Sequence, residues 1–292
     1  MIVGMKTNAS RVADIILYVF IFIFAMLCLL PVLYIFIGSI TSEQEYLSRT
    51  IVLFPRHPDF SAYSYLIQSK SLMKSIGISI LVTVIGTFIS LALSVLTAYP
   101  LSKQQLRGGK VLNFLVLFTM MFNGGMIPTY IVVNSLHLTN TLWSLWLPGA
   151  ISVWNMIIIK NSLQQLPKEI EEAATIDGCN SVQTLVKIVL PLSLPVLATF
   201  TLFYAVSYWN NYFNAVIYIN NSALWPIQVW LRQIILLSSG GLDQTAASDT
   251  VKSIAQNIQD GVIVFATVPV LIVYPFIQKY FTKGVLVGSV KG

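Results

Sequence analysis

The residues with the most chemical character cluster in "FYAVSYWNNYFNAVIYINN", where Tyr204, Tyr208, Trp209, Asn210, Asn211, Tyr212 and Asn214 fall within about three helical turns. Aromatic faces combined with amides suit a solute that has an apolar ring face and many hydroxyls, as a sugar does. An amide inside an apolar helix is costly unless it faces a cavity or a partner helix, so Asn210 and Asn214, one turn apart, predict an interior stripe. A second reading stays open: Tyr and Trp near the end of an apolar helix also form interfacial belts, and the same side chains can lock two helices together. Other chemistries find no support in the spacing. His57 and His137 stand alone and Cys28 and Cys179 lie far apart, so neither a metal site nor a disulfide framework is expected. No paired carboxylates or His-containing constellation marks a catalytic residue. The "RGGK" at Arg107 lacks the upstream glycine of a phosphate-binding loop, so no nucleotide chemistry is expected of this chain.

The elements that must hold these side chains follow from composition. Of 292 residues, 56 % are apolar and 10 % charged, against roughly a quarter charged in soluble domains. That balance predicts an all-α integral membrane protein, because lipid accepts apolar side chains on the outside of a bundle and leaves charges to the loops. Stretches near the ~20 residues needed to cross a bilayer predict six transmembrane helices in a single domain over 1–292, at about 15–40, 76–98, 111–133, 138–159, 192–219 and 261–278. The first follows Lys6 and Arg11 but is too long for a signal-peptide core, and is read as a retained span. The fourth and sixth contain Pro148 and Pro269, which predicts tilted, kinked or partly sunken segments. In the third, Asn123, Gly124, Gly125 and Pro128 suit a hinge, and equally suit helix packing through glycine.

The net charge of +6 comes from 17 scattered Lys and Arg without a basic patch, so membrane topology explains it better than nucleic acid. Both termini on the cytoplasmic side would leave 11 of the 17 inside and six in two longer outer loops, the sense of the positive-inside rule. Those loops are about 41–71, with Pro55 and Pro58 and little regular helix expected, and about 220–260. The latter begins with the amphipathic "ALWPIQVWLRQIILL" and continues through a polar stretch with a Gly240-Gly241 break.

The loop over about 160–191 concentrates four of the 11 acidic residues. Pro167 opens a helix with Glu169, Glu171 and Glu172 toward its positive end, Gly178 permits a sharp turn, and Asn180 or Ser181 caps a second helix. That helix is expected to carry Val182, Leu185, Val186 and Val189 on one side and to stop before Pro191. Within this loop, "EAATIDG" at Glu172 to Gly178 followed by "IVLP" at Ile188 to Pro191 resembles the EAA signature of ABC importer permeases. Resemblance extends to "FNGGMIPTYIVVNSLHLTNTLWSLWLP" from Phe122 and to the terminal "YPFIQKYFTKGVLVGSVKG", which look like carbohydrate importer permeases of the branch associated with complex polysaccharides, of the lipoprotein or alginate type.

The resemblance implies a type I ABC importer permease fold in the cell membrane. It implies that Glu172, Ala173, Ala174, Asp177, Gly178, Cys179, Ile188, Leu190 and Pro191 form an element coupled to an ATPase, with Cys179 standing where the family often has alanine. Gly288, Lys291 and Gly292 match a tail that can extend into the same interface, and a frayed terminus is the plainer reading of them. It further implies a second related permease, two ATPase subunits that bind ATP and Mg, an extracytoplasmic solute-binding protein and a carbohydrate cargo, with no cofactor in this chain. Tyr204, Tyr208, Trp209, Asn210 and Asn214 would then line part of the substrate pathway. The alternative, an ion-coupled secondary carrier for a small polar solute, would be expected to place an ionisable residue inside the spans, and none is evident there.

Overall fold

The computed structural model describes residues 8–49, 52–238 and 256–289. Its helices are α1 (Asn8–Ser39), α2 (Glu43–Ser48), α3 (Ser61–Gln68), α4 (Lys70–Ser102), α5 (Gly109–Met121), α6 (Met126–Ser135), α7 (Trp143–Trp146) and α8 (Val153–Gln164). They continue as α9 (Lys168–Ile176), α10 (Ser181–Thr184), α11 (Leu190–Leu192), α12 (Leu194–Trp209), α13 (Phe213–Tyr218), α14 (Ile227–Ser238) and α15 (Gln256–Ser289). A π-helical turn, Leu185–Val189, joins α10 to α11. No strand occurs among the described residues; Thr41 and Pro58 form an isolated bridge.

Among the described residues, three helical stretches are long and apolar enough to cross a membrane by themselves: Val12–Ser39, Lys70–Ser102 and Gln256–Pro275. Two more arise if each bent pair counts as one span, α5 with α6 (111°) and Ser181–Leu192 with α12 (84°). The region expected as a fourth span, 138–159, is instead a broken pair of short helices. His137 and Asn140 take left-handed backbone, α7 ends before Pro148, which lacks the N–H needed to continue a helix, and α8 restarts with the Ser152 hydroxyl accepting from Asn155 N at 3.4 Å. The fifth expected span also stops early, because α12 ends at Trp209 with Asn210 as its cap, and α13 is a separate short helix.

The chain divides into two compact units. The first draws on Met1–Ser69 and Gln233–Ala266. Its loop after α1 holds more helix than its prolines suggested, because one carboxylate organises it. Ser42 caps α2, and buried Glu45 on that helix takes the Arg49 guanidinium at 2.9 Å and the Arg56 backbone N–H at 3.0 Å. Asp59 then accepts from Ser61 N at 2.8 Å to start α3, whose buried Ala62 and Leu66 lie against Gly261.

The second unit draws on Lys70–Arg232 and Thr267–Gly292, and is organised by α4. Ser75, Ser79, Val82, Gly86, Ser90, Ser94, Ala98 and Ser102 recur at three- or four-residue spacing and are buried along one face of that helix. Such a stripe of small residues lets helix backbones approach closely where lipid offers no hydrophobic drive for association. α12 and α8 pack into it. Toward the end of α4, Val95, Ala98, Tyr99 and Leu101 share an apolar core with Met156, Ile159 and Leu163 of α8, and with Leu185, Val189, Leu197 and Phe200. Toward its start, Val82 joins Leu145, Trp146, Tyr208, Ala215 and Val229 in a second core.

The tightest point is Gly86, where an added Cβ would sit 2.7 Å from the Tyr208 ring. That ring cannot swing aside cheaply, because its hydroxyl bonds Ser90 Oγ at 2.8 Å and donates to the Trp146 carbonyl at 3.3 Å. Gly86→Ala is therefore expected to destabilise the protein by about 1–3 kcal/mol, the cost typical of overpacking, read as a lower unfolding temperature in detergent. Gly77→Ala on the same helix, whose Cβ would meet open space, is expected to leave that temperature unchanged or slightly raised.

Candidate functional site

The end of α12 and the break that follows it form one wall of a cleft of about 320 Å³, lined by Leu145, Gly149, Ser152, Asn155, Tyr204, Ser207, Tyr208, Asn210, Asn211, Tyr212, Phe213 and Asn214. Four of the five residues expected in a solute pathway, Tyr204, Tyr208, Asn210 and Asn214, meet here. Trp209 does not line the cleft and is buried. Asn210 and Asn214 arrive differently from the expected helical stripe: Asn210 caps α12 with its amide donating back to Val206 O at 3.0 Å, and Asn214 is carried by α13.

The two tyrosine hydroxyls are committed to the protein. Tyr204 Oη bonds Ser94 Oγ at 2.7 Å and accepts from Ser152 N at 3.3 Å, and Tyr208 is held by Ser90 and Trp146 as described. Their rings wall the cleft while their oxygens fasten α12 to α4 and to the turn before α8. The amides of Asn155, Asn211 and Asn214 make no side-chain hydrogen bond to a described residue and remain open to a solute. Asn155 and Ser152 escaped the sequence reading, although an amide in an apolar stretch just after Pro148-Gly149 carries the same signal that pointed to Asn210. No lining residue is a Lys, Arg, Asp or Glu, so the arrangement suits a partner rich in hydroxyls through amide, hydroxyl and ring contacts. Outside the cleft, the Asn140 amide oxygen accepts from Asn220 N at 2.7 Å and Asn221 N at 3.1 Å, pinning the loop before α7 to the one after α13.

The second constellation is the charged hairpin. α9 starts after Pro167, with Glu169 and Glu171 in its first turn. Its end is a Schellman turn: Cys179 N donates to Ala174 O at 2.9 Å, Gly178 N to Thr175 O at 3.1 Å, and Gly178 takes φ +82°. Asn180 and Gln183 then close a reciprocal capping box at the start of α10. Glu172, Ala173, Asp177 and Gly178 are exposed, Cys179 is half-buried, and Ala174 alone turns inward, at 3 % exposure.

Beyond the turn the expected apolar side splits. Leu185 and Val189 enter the core, whereas Val182 and Val186 face outward, as does Ile176 at 85 % exposure. Helix also continues through Pro191 where a stop was expected. The π-turn takes up the change, with Leu190 N donating to Leu185 O, and the direction changes only at Ser193. Ile188 and Leu190 are half-buried and Pro191 is exposed. Of the tail residues, Gly288 falls in α15, while Lys291 and Gly292 lie outside the described residues, as does the Gly240-Gly241 break.

A long small-faced helix, bent apolar helix pairs and an exposed helix-glycine-helix hairpin define a membrane-embedded transport subunit. Residues 91–287 match the family of binding-protein-dependent transport system inner membrane components, and the chain belongs to that family. It is 49 % identical over 284 residues to the polygalacturonan/rhamnogalacturonan transport system permease protein YtcP of Bacillus subtilis (strain 168), covering 97 % of this chain and 99 % of that one. Protein LplC of the same organism is 48 % identical over 291 residues, covering 98 % and 97 %. Among solved structures, a chain of a bacterial ABC transporter involved in import of the acidic polysaccharide alginate superposes with a TM-score of 0.86 at 34 % identity, covering 95 % of this chain and 99 % of that one. The protein is thus a permease of the inner membrane that serves binding-protein-dependent transport.

The left-handed backbone at Gly178 yields a graded test. A Cβ there would meet open space, so only the backbone conformation resists substitution. Gly178→Asn, which tolerates this region, is expected to keep most solute uptake by cells. Gly178→Val, a β-branched side chain at positive φ, is expected to distort the hairpin at a cost of about 1–2 kcal/mol or more and to reduce uptake sharply.

Proposed function

We propose that this chain is one of two related permease subunits of an ATP-driven importer whose cargo is an oligosaccharide cut from a complex polysaccharide. The observation that carries the reading is the hairpin. Glu172, Ala173, Asp177 and Gly178 are presented to solvent on a rigid turn, with the apolar Ile176, Val182 and Val186 exposed beside them. Such a surface needs a partner, and an ATPase cleft is the one that the EAA resemblance implies. ATP and Mg belong to two such ATPase subunits, so this chain contributes motion and a pathway rather than catalysis. The saccharide reading is supported by the uncharged, amide-rich cleft and by similarity to a polygalacturonan/rhamnogalacturonan transport permease and to a chain of an alginate-importing transporter.

In this account the hairpin and both termini lie on the cytoplasmic side, as the distribution of Lys and Arg favours. α7 and α8 together serve as a sunken fourth crossing, giving six. An extracytoplasmic binding protein delivers cargo to the outer loops, of which the stretch from Asn220 is the first candidate. Closure of the ATPases then drives the hairpins together and turns the bundle outward, and hydrolysis resets it. Within the cleft, Asn210, Asn214 and the rings of Tyr204 and Tyr208 contact sugar, with Asn155 facing them. Gly124 and Gly125 let the two halves of the bent α5–α6 pair rock, with Asn123 capping the break by accepting from Gly125 N at 2.9 Å.

Affinity capture of the chain from membranes tests this directly. Wild type is expected to bring down a nucleotide-hydrolysing subunit. Glu172→Lys, a charge reversal on the exposed face, is expected to lower capture or its ATPase activity about ten-fold or more, equivalent to ~1.4 kcal/mol. Absence of any ATPase with the wild-type chain would sink the reading.

A further inference from the structure

Nine residues of α9 form too short a helix to be rigid without support. Apart from its covalent neighbours, α9 turns only Ala174 fully inward. Beside that contact and half-buried Ile170, α9 makes an ion pair and a side-chain hydrogen bond that converge on the segment just after α4. Lys103 Nζ pairs with Glu171 and Lys168 Nζ donates to Gln104 Oε1 at 2.9 Å, while α8 makes its own tie to the end of α4, Gln164 donating to Ser102 O at 3.4 Å. The Lys103 ammonium also lies 4.2 Å from the centre of the Tyr99 ring, and that ring is buried in the core shared by α4, α8 and α12. One cation therefore joins the hairpin to a ring anchored in α4.

The same helix grips the cleft. Ser94 and Ser90 of α4 hold the hydroxyls of Tyr204 and Tyr208, about 12 and 18 Å along the helix axis from Ser102 at 1.5 Å per residue. Displacement of the hairpin thus has a continuous physical route to the cleft, from Glu171 through Lys103 and α4 to the two serines and tyrosines. The other route, through α11 into α12, is interrupted by a π-turn and by an 84° bend at Ser193. Helix α4 runs unbroken from Lys70 to Ser102, with Pro100 only in its last turn, and so joins the two contacts without an interruption of the helix.

From this geometry we infer that Lys103 is a positioning residue for coupling: it locks the hairpin to α4 so that the two travel as one body through the transport cycle. A half-exposed ion pair adds little stability, and its role here is to fix where α9 sits rather than to hold the fold together. The cation over Tyr99 sets the position of Lys103, and Lys103 sets that of Glu171. The inference rests on the proposed importer reading, and the two separate experimentally.

The experiment uses the assembled transporter, purified with its ATPase subunits and assayed for ATPase activity stimulated by binding protein loaded with an oligogalacturonide. Lys103→Glu and Glu171→Lys alone are each expected to copurify with the ATPase yet lose about five-fold or more of the stimulation, the lower range of coupling between sites. The double swap restores charge complementarity and is expected to recover at least half. Stimulation undiminished in the single variants, or lost in both singles and in the swap while the ATPase still copurifies, overturns the inference and leaves the importer reading intact. Failure of the wild-type chain to bring down an ATPase overturns the importer reading itself.

Discussion

Everything in the second unit depends on how closely α12 can approach α4. Lipid tails are as apolar as the helices they surround, so association cannot rest on hydrophobic burial and falls to close packing and hydrogen bonds. Gly86 removes the one side chain that would keep the Tyr208 ring away, and Ser90 and Ser94 supply the hydroxyls that satisfy the tyrosines at that depth. With α12 seated, its last turn, Asn210 and the start of α13 come to face Ser152 and Asn155, and the cleft exists. A larger residue at position 86 would open this contact and move the cleft wall with it.

The hairpin obeys a different rule, because most of it is exposed rather than buried. Its shape comes from local backbone chemistry: acidic residues in the first turn of α9, a glycine in left-handed conformation at the end, and a reciprocal cap starting α10. Such a turn is shaped by its own backbone hydrogen bonds, which leaves Glu172, Ala173 and Asp177 exposed. Where α9 sits relative to the bundle is set elsewhere, by polar contacts from the segment that follows α4.

Much of this was legible in the sequence because the signals are local. The hairpin's caps and turn follow from Pro167, Gly178 and Asn180, and the cleft amides stand out because Asn in an apolar stretch demands a reason. What escaped reading depends on tertiary contact. The break of the expected fourth span turns on left-handed His137 and Asn140, and Asn140 reaches across to Asn220 and Asn221, about eighty positions away in sequence. The tyrosines read as sugar platforms, yet their hydroxyls are occupied by serines on another helix. In the loop after α1, the tie of buried Glu45 to Arg56, eleven positions on, was not legible, although the Ser42 cap that starts α2 is a local signal. Val182 and Val186 looked like core by period alone; the π-turn after Thr184 alters the helical phase downstream of Val182.

The central claim is that ATP hydrolysed by partner subunits drives a saccharide through a pathway this chain helps to form. It is tested most directly by reconstituting the complete transporter in proteoliposomes with ATP enclosed and offering the binding protein loaded with an oligosaccharide outside. The account predicts accumulation that needs both the enclosed ATP and the binding protein. Uptake by this chain alone, driven by an ion gradient and indifferent to ATP, would contradict it.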